Sequence, residues 1–559
     1  MPTPPMLTPI PVPPEFPLTW ATPEDAQRLW SRELMHFPGQ ITALELSITA
    51  GWIENGMNPA FSDFGFPVRC RAGAFNTYFY MSIWPITFDP DELARMGHEA
   101  ERRLGMALDG IQERWEGEQR PAIERILAVW EAFDLRDAPN EQLAAHLDRV
   151  RRESEQIWDI HFHIVFPMLI AMSLFDDFYR DTLGAEDRFE TMRLLEGFEN
   201  MTFRGDRDLY LLSRRALAVP EVAAVLEHSA AAGVRAALER SDAGRAFLAD
   251  LDAYLQQYGR RTTMFIVLTA PSWIEDPTPV ITALQDIMAH PDHDPLDALT
   301  RLAAEREQLA EAARQRLAGY PEPVRGQFEF LLRAAQDAAV LQEDHNFWLD
   351  GPTTYLVREV ALEVGRRLAA AGVIAESGDV FHLTAGEACA ALLDGRERTA
   401  VVAAAKAELD GFATTPSPPI LGVLPPGPPP DDPIARAITK MFGAPPVEAT
   451  SPGTLNGNGG SPGIARGRAR VIRTLADGDR LGHGEILVAE TTAPPWTPLF
   501  ARAAGIVTDS GGILCHCAIV AREYGIPAVV GVGMGTVVIQ DGQLVEVDGD
   551  AGTVRIIAE

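Results

Sequence analysis

A proline-rich stretch divides the chain into two parts with different sequence patterns. Thr414–Pro433 contains nine prolines in twenty residues, which excludes a regular helix and favours extended polyproline geometry. Before it, apolar side chains recur every three or four positions, as in amphipathic helices. After Gly463, short β-branched runs alternate with Gly and Asp turns around one helical stretch, His516–Tyr524. The pattern predicts a multidomain protein, with a large mainly α-helical domain followed by a small α/β domain.

The same change of pattern places the domain boundaries. We expect a proline-rich arm at residues 1–19, the helical domain at 20–413, a Pro/Gly-rich linker at 414–459 and the α/β domain at 460–559. The hinge is expected at Val447–Gly460, because this segment is rich in Gly and Asn and exposed loops of small residues are mobile.

Local signals inside the helical part predict individual elements. Asp89 and Asp294 each precede a proline and a periodic run, so both are expected as helix N-caps. Arg69–Ile83 mixes aromatic and small residues, which predicts a short β element. Ile164–Phe175 is apolar but too short to cross a bilayer, and we interpret it as a buried helix.

Charge and cysteine content exclude several classes of partner. The 559 residues carry a formal charge of −31, from 79 acidic and 48 basic side chains. Nucleic acids and anionic membranes bind basic surfaces, so neither is expected as a main partner. Four cysteines, and an N-terminus without the cationic and apolar segments of a signal peptide, predict a cytoplasmic protein.

The most informative stretch is Thr508–Gly531, TDSGGILCHCAIVAREYGIPAVVG. A strand runs into a glycine turn, and His516 then occupies the first turn of a helix. Free backbone N–H groups and the positive end of the helix dipole favour a neutral, nucleophilic ring there. They also favour the anion that forms if the ring is phosphorylated. The alternative is an ordinary helix-start histidine whose ring is satisfied by a carbonyl group.

This stretch resembles the phosphohistidine, or swivelling, domain of the phosphoenolpyruvate-utilising enzymes, in which GG-x-x-(S/T)-H-x-A-I-x-A-R-E-x-G-I-P-A-V-x-G recurs. The resemblance implies that His516 carries a phosphoryl group and that Gly511, Gly512 and Arg522 contact it. The chain departs from the family at Cys515, where the family has Ser or Thr. The Cys-His-Cys run does not predict a metal site, because consecutive helical side chains point in different directions.

The helical part is similar to the acceptor-binding domain of rifampin phosphotransferases and to the His-bearing subunit of phenylphosphate synthases. Phe16–Trp20, Asn200–Arg214 and Leu356–Thr384 carry this likeness. The rifampin enzymes have an R-E-x-x-K-F stretch whose cations face the phosphoryl group, whereas this chain has QEDHNF at 342–347. Loss of both cations weighs against a rifamycin acceptor.

Side chains in and around that stretch are candidates for the acceptor site. Glu343, Asp344 and His345 are the residue types that accept a hydroxyl proton, although the alternative is a solvated helix face with one structural histidine. Arg71, Arg260 and Arg261 are candidates to bind phosphate, or to form structural ion pairs in this acidic chain.

The resemblance implies a two-step reaction with a separate donor protein. We find no Walker loop and no nucleotide-grasp domain, so ATP and Mg are expected on a partner of the ATP-grasp type, and no tightly bound cofactor or metal is expected on this chain. The expected acceptor is the hydroxyl of a phenol or another small apolar alcohol, with AMP and inorganic phosphate as the other products. The alternatives are a regulatory phosphohistidine carrier and a dehydratase that phosphorylates a leaving group.

Overall fold

The helices predicted before the proline-rich stretch are observed in the computed structural model. It describes residues 7–185, 187–262, 264–290, 294–425, 432–443, 453–492 and 496–557. The chain divides into a first unit of Met1–Pro167, Ile266–Thr269 and Trp348–Asp431, and a second unit of Met168–Phe265, Ala270–Phe347 and Asp432–Glu559. The fold class predicted from the sequence, a large helical region followed by a small α/β domain, is confirmed.

The first unit combines helices with a small antiparallel sheet. Its strands are β1 (Thr8–Pro9), β2 (Leu29–Arg32), β3 (Val68–Phe75), β4 (Tyr78–Pro85) and β5 (Ile420–Leu424), in the spatial order β1-β5-β2-β4-β3. Its helices are Asp25–Gln27, Ala43–Phe64, Pro90–Ala107, Ile111–Arg114, Trp115–Gln119, Arg120–Glu131, Gly351–Ala370, Ser377–His382, Ala385–Asp394 and Thr399–Phe412.

Extended segments from both ends of the first unit complete this sheet. The β element expected at Arg69–Ile83 is the β3–β4 hairpin, closed by a turn in which Asn76 and Thr77 have positive φ. β5 comes from the proline-rich stretch and pairs with β1 from the N-terminal arm, with Thr8 opposite Leu424. The sequence predicts extended geometry for the proline-rich stretch. In the structure β5, which belongs to this stretch, is extended and pairs with β1 and β2 in the sheet.

The second unit contains the remaining helices and a larger sheet. Its helices are Glu190–Arg193, Met201–Leu217, Pro220–His228, Ala231–Leu238, Asp242–Tyr258, Thr278–Ala289, Pro295–Leu317, Glu322–His345, Pro433–Phe442, Leu475–Arg480, Thr497–Phe500, His516–Tyr524 and Gly535–Val538. Asp89 and Asp294 cap their helices as predicted. The Asp89 side chain accepts hydrogen bonds from two backbone N–H groups of the first turn, and the Asp294 side chain accepts one.

The apolar run at Ile164–Phe175 belongs to a much longer helix, Asn140–Leu183. A separate helical turn is formed by Asn346–Asp350. Among the described residues, Asn140–Leu183 alone is long and apolar enough to cross a membrane. Its most apolar window is 67% buried inside the structure, as in the core helix of a soluble protein. The prediction of a buried helix is therefore confirmed.

The sheet of the second unit has eight strands, β6 (Thr454–Asn456), β7 (Asn458–Ser461), β8 (Ile464–Val471), β9 (Glu485–Ala489), β10 (Ala503–Thr508), β11 (Ala528–Val530), β12 (Leu544–Asp548) and β13 (Thr553–Ile556). Their spatial order is β6-β13-β12-β8-β9-β10-β11-β7, and β8, β9, β10 and β11 are parallel neighbours. Apolar side chains of these strands, including Leu487 and Ile506, pack in one cluster with Ala518 and Ala521 of the His516–Tyr524 helix.

The structure differs from the sequence-based interpretation at the end of the expected linker. β6 and β7 lie within the segment predicted as a hinge, and both pair in the sheet. The rest of that hinge, residues 447–452, lies outside the described residues. The glycines of β7 serve close packing, because a Cβ on Gly459 would overlap the carbonyl oxygen of Gly549.

We expect Gly459→Ala to destabilise the second unit. The added methyl group has no room beside the Gly549 carbonyl, and overpacking of this kind costs about 1–3 kcal/mol. Urea unfolding followed by circular dichroism would measure the loss. The control is Gly233→Ala, since a Cβ on this helical glycine meets nothing within 4 Å. Equal stability of G459A and wild type would contradict close packing as the reason for this glycine.

Candidate active site

His516 begins a helix directly after a glycine turn. β10 ends at Thr508, Gly511 has a φ of 118°, and the helix His516–Tyr524 ends at Gly525 with a φ of 67°. The His516 side chain is only 11% exposed. Neither ring nitrogen has a hydrogen-bond partner among the described residues. A carbonyl-satisfied ring, the alternative left open by the sequence, is therefore not what this structure contains.

The Glu343 carboxylate faces the His516 ring. Oε1 of Glu343 lies 3.6 Å from Nδ1 of His516, and its Oε2 accepts a hydrogen bond of 2.7 Å from the Thr202 hydroxyl. Burial alone would raise the pKa of Glu343, but His516, Thr202 and the charge of Arg261 lower it to about 2. An ionised carboxylate beside Nδ1 favours a proton on that nitrogen, which leaves the lone pair on Nε2 for nucleophilic attack.

Arg261 supplies buried positive charge to the same region. Its side chain is 7% exposed, and its Cζ lies 5.5 Å from the Phe347 ring centre and 5.7 Å from that of Trp273. Its Nε has no hydrogen-bond partner in the described part of the chain. A buried guanidinium with an unused donor suits an anionic group.

Two carboxyl groups near His516 have raised pKa values. Burial raises the pKa of Asp206 to about 6, although Arg261 and a 3.1 Å hydrogen bond from the Tyr524 hydroxyl oppose the shift. Burial and the neighbouring carboxylates raise the pKa of Glu523 to about 8. The charge of a protonated His516 also opposes the rise in the pKa of Asp206, so Asp206 lies within electrostatic range of the histidine. A carboxylate with a pKa near 6 is suited to accept a proton at neutral pH.

Asp206 and Glu523 also line a pocket in the second unit, with a volume of about 110 Å³. Most of its walls are apolar or aromatic. The lining residues are Gly197, Phe198, Phe203, Asp206, Leu209, Tyr210, Ala283, Asp286, Ile287, Pro295, Ala298, Leu299, Leu302, Ala501, Glu523 and Tyr524. An apolar pocket with a few polar groups is typical of small-molecule sites.

The glycine turn before His516 is held by another helix. The backbone N–H groups of Gly511, Gly512 and Leu514 donate to carbonyl oxygens of Phe442, Met441 and Lys440, at the end of Pro433–Phe442. A Cβ on Gly511 would lie 2.8 Å from Cys515 Sγ, so the turn requires glycine there. Phosphoryl binding by Gly511 and Gly512 stays a prediction, and it would require their amides to leave these carbonyl groups.

Lys440 anchors that helix in turn. Its Nζ lies 2.6 Å from Asp177 Oδ1 and 2.7 Å from Asp176 Oδ2. The carbonyl oxygen of Lys440 also accepts a hydrogen bond from the backbone N–H of Leu514, in the loop before His516. Lys440 therefore links the Asn140–Leu183 helix to that loop.

Arg522 is buried in an ion pair. Its Nε lies 3.0 Å from Glu196 Oε1, and its Nη1 donates to the carbonyl oxygens of Gly460 and Ile513. These contacts fix the His516 helix to both the sheet and the helical part of the second unit. A role of Arg522 in contacting transferred phosphoryl oxygens stays a prediction.

The other sequence-predicted residues occupy different positions. Asp344 accepts a 2.7 Å hydrogen bond from the backbone N–H of Met201, and Nδ1 of His345 lies 2.8 Å from the Leu341 carbonyl oxygen in its own helix. Arg71 lies in the first unit, where it forms a 2.7 Å ion pair with Asp25. Arg260 is half-buried beside Arg261. Their proposed roles stay predictions.

Sequence reasoning missed several residues of this site. Thr202 and Asp206 lie in the Asn200–Arg214 segment that carried the likeness to rifampin phosphotransferases, which was the available signal. Glu523 and Tyr524 lie in the phosphohistidine motif itself. Their importance follows only from their contacts and neighbours in the folded second unit.

Comparison with known proteins agrees with this geometry. Residues 481–552 match the PEP-utilising enzyme mobile domain. Residues 161–343 match the rifampicin phosphotransferase fourth domain, and this match includes the helices that face His516. The resemblance identified from the sequence is confirmed for both regions.

Three relatives show how far the similarity extends. Chondramide synthase cmdD of Chondromyces crocatus is 40% identical over 98% of this chain, which covers 14% of that protein. An uncharacterised phosphotransferase, YvkC of Bacillus subtilis, is 29% identical over 72% of this chain and 47% of its own length. Rifampicin phosphotransferase of Streptomyces sviceus is 32% identical over 55% of this chain and 34% of its own length. The chain thus spans less than half the length of these relatives.

The raised pKa of Glu523 predicts a pH-dependent gain in stability for Glu523→Gln. The carboxyl titrates at about 4.3 when unfolded and near 8 when folded, so the wild type loses stability as the pH rises between these values. The gain from E523Q should be negligible near pH 4 and reach about 2 kcal/mol above pH 8, after allowance for solvent screening. Urea unfolding at both pH values tests this, with the exposed Glu227→Gln as control. A gain independent of pH would show that this carboxyl is not the cause.

Proposed function

We propose that this chain transfers a phosphoryl group, through His516, to the hydroxyl group of a small apolar acceptor. The observation that carries the proposal is a buried His516 ring whose Nδ1 faces the Glu343 carboxylate and whose Nε2 forms no hydrogen bond among the described residues, within electrostatic range of the pocket carboxylate Asp206. Similarity to rifampicin phosphotransferases supports phosphotransferase activity.

In the first step, the lone pair on Nε2 of His516 attacks the phosphorus atom of the donor. The bond from phosphorus to the donor's leaving oxygen breaks as the P–N bond forms, and Glu343 stabilises the proton on Nδ1. The proposed donor is ATP, bound with Mg on a separate nucleotide-grasp protein. With ATP as donor, Nε2 attacks the β-phosphorus atom and AMP leaves with the bridging oxygen. Water then cleaves the pyrophosphoryl group on His516, which releases inorganic phosphate and leaves one phosphoryl group on the ring.

In the second step, the acceptor oxygen attacks the phosphorus atom and the P–N bond breaks. The hydroxyl proton passes to Asp206, which lines the pocket and whose pKa of about 6 allows it to be ionised at neutral pH. Arg261 stabilises the negative charge of the transferring group, because its guanidinium is buried and its Nε is unused. Splitting the transfer into two displacements avoids a ternary complex of donor and acceptor.

The first experiment asks whether His516 is the phosphorylated residue. We expect potassium phosphoramidate, a small phosphoryl donor that needs no partner protein, to label the full chain with an acid-labile, base-stable phosphate. Mass spectrometry of the intact protein and of its peptides would locate the label on His516. Exposed histidines also react, so the rate at each site should be followed.

The matched variants are His516→Ala and His228→Ala, since His228 is exposed on the surface. In the wild type, we expect small alcohols to remove the phosphate carried by His516. H516A should lack this removable phosphate, whereas H228A should retain it. Undiminished dischargeable label in H516A would refute His516 as the phosphoryl carrier.

A second experiment compares Asp206 with His345, the base predicted from the sequence. Starting from phosphorylated protein, Asp206→Asn should slow discharge to an alcohol by about 10²–10⁴-fold. Arg261→Gln should slow it by about 10²–10³-fold, as expected when a group that stabilises transition-state charge is lost. Phosphorus NMR would follow the phosphoester, and the exposed Arg245→Gln serves as control. Slow discharge in His345→Ala together with normal discharge in D206N would assign the base to His345 instead.

A further inference from the structure

The described lining of the pocket contains acidic side chains and no basic ones. Asp206, Asp286 and Glu523 are its acidic lining residues, and Glu523, with a pKa of about 8, becomes ionised as the pH rises through that value. No lysine, arginine or histidine is among the described residues that line it. An acceptor that carried a carboxylate or a phosphate of its own would therefore meet like charge on entering.

The three carboxyl groups differ in how well they are paired. Asp206 accepts a hydrogen bond from Tyr524. Asp286 lies 3.4 Å from Arg502 and 3.6 Å from His483, both outside the lining. Glu523 has neither a hydrogen-bond nor an ion-pair partner in the part of the chain that the structure describes. Among the described lining residues, it is the one acidic group without a pairing group.

The surroundings of Glu523 strengthen the negative potential there. Burial, followed by the charges of Glu343, Glu196 and Asp206, raises the pKa of this carboxyl. The nearby cation Arg522 is already paired with Glu196 and with two carbonyl groups. A cation bound in the pocket would relieve this repulsion and supply the missing partner.

The rest of the lining sets the shape and polarity of the ligand. Phe198, Phe203, Leu299 and Leu302 are among the apolar side chains that surround the carboxyl groups. Such walls favour a ring or a branched hydrocarbon over a sugar or a flexible polar chain. The combination of apolar walls and one unpaired carboxyl group is complementary to an apolar cation.

From this pocket we infer that the acceptor is an apolar alcohol that also carries a protonated amine, and that Glu523 is the residue that binds the amine. The inference rests on the proposed function for the identity of the hydroxyl group as the phosphoryl acceptor. It adds a charge requirement to that function. The amine pairs with Glu523 while the hydroxyl group lies toward Asp206, the lining residue within electrostatic range of His516.

Three probes with the same ring test the charge requirement. Benzyl alcohol, 4-(aminomethyl)benzyl alcohol and 4-(hydroxymethyl)benzoate are respectively neutral, cationic and anionic at about pH 8.5, where most of the Glu523 carboxyl, with its pKa of about 8, is ionised. Isothermal titration calorimetry with the full chain should show the amine binding about tenfold more tightly than benzyl alcohol, and the benzoate more weakly than either. Equal affinities, a preference for the benzoate, or no binding of the amine would each overturn the inference.

Variants locate the binding to this pocket and to Glu523. E523Q should remove the preference for the amine and leave the affinity for benzyl alcohol unchanged, whereas the exposed Glu227→Gln should retain the preference. Ala298→Phe should abolish binding of all probes, because the added ring fills the pocket. A preference that survives in E523Q, or binding that survives in A298F, would overturn the assignment.

The same probes separate this inference from the proposed function. His516→Ala should still bind the amine in preference to benzyl alcohol, because the pocket residues are unchanged. If the protein prefers the amine but is never phosphorylated on His516, the pocket assignment is supported and the role of His516 as phosphoryl carrier is refuted. A phosphorylated His516 that discharges equally well to all three alcohols would support the carrier and refute the charge requirement.

Discussion

The 3.6 Å approach of Glu343 to Nδ1 of His516 connects the helices of the second unit with the sheet that carries the histidine. The carboxylate is buried, and an isolated buried charge is costly. Thr202 and the neighbouring His516 ring compensate for that cost and keep the group ionised. The tautomer of the His516 ring depends on this contact, because the carboxylate favours a proton on Nδ1 and leaves the lone pair on Nε2.

Other buried polar contacts hold the same arrangement. Arg522 pairs with Glu196, and Lys440 joins two aspartates of a long helix to the loop before His516. Removing either partner of such a pair leaves an uncompensated buried charge, so the loss of one residue is expected to destabilise the arrangement. The glycine turn depends on them as well, because its amides donate to the helix that Lys440 anchors.

The distribution of charge around the histidine differs from what the motif alone implies. The motif arginine, Arg522, is paired with Glu196, while the unused guanidinium nitrogen belongs to Arg261 on the helical side. Burial, together with the charge of neighbouring carboxylates, raises the pKa values of Asp206 and Glu523. The two-step transfer proposed here requires a proton acceptor and an anion-binding group, the roles proposed for Asp206 and Arg261.

The sequence by itself determined the local features of this protein. Proline content, apolar periodicity and cap residues gave the fold class, the caps Asp89 and Asp294, and the helix that His516 begins. Such features depend on residues close together in the chain. The glycines of β7 misled the interpretation, because glycine marks both mobile loops and close packing, and only the neighbouring Gly549 distinguishes the two. Tertiary structure alone decided which carboxylate faces His516, which arginine is unpaired and which side chains form the pocket, because those residues are far apart in the chain and meet only when the helices pack on the sheet.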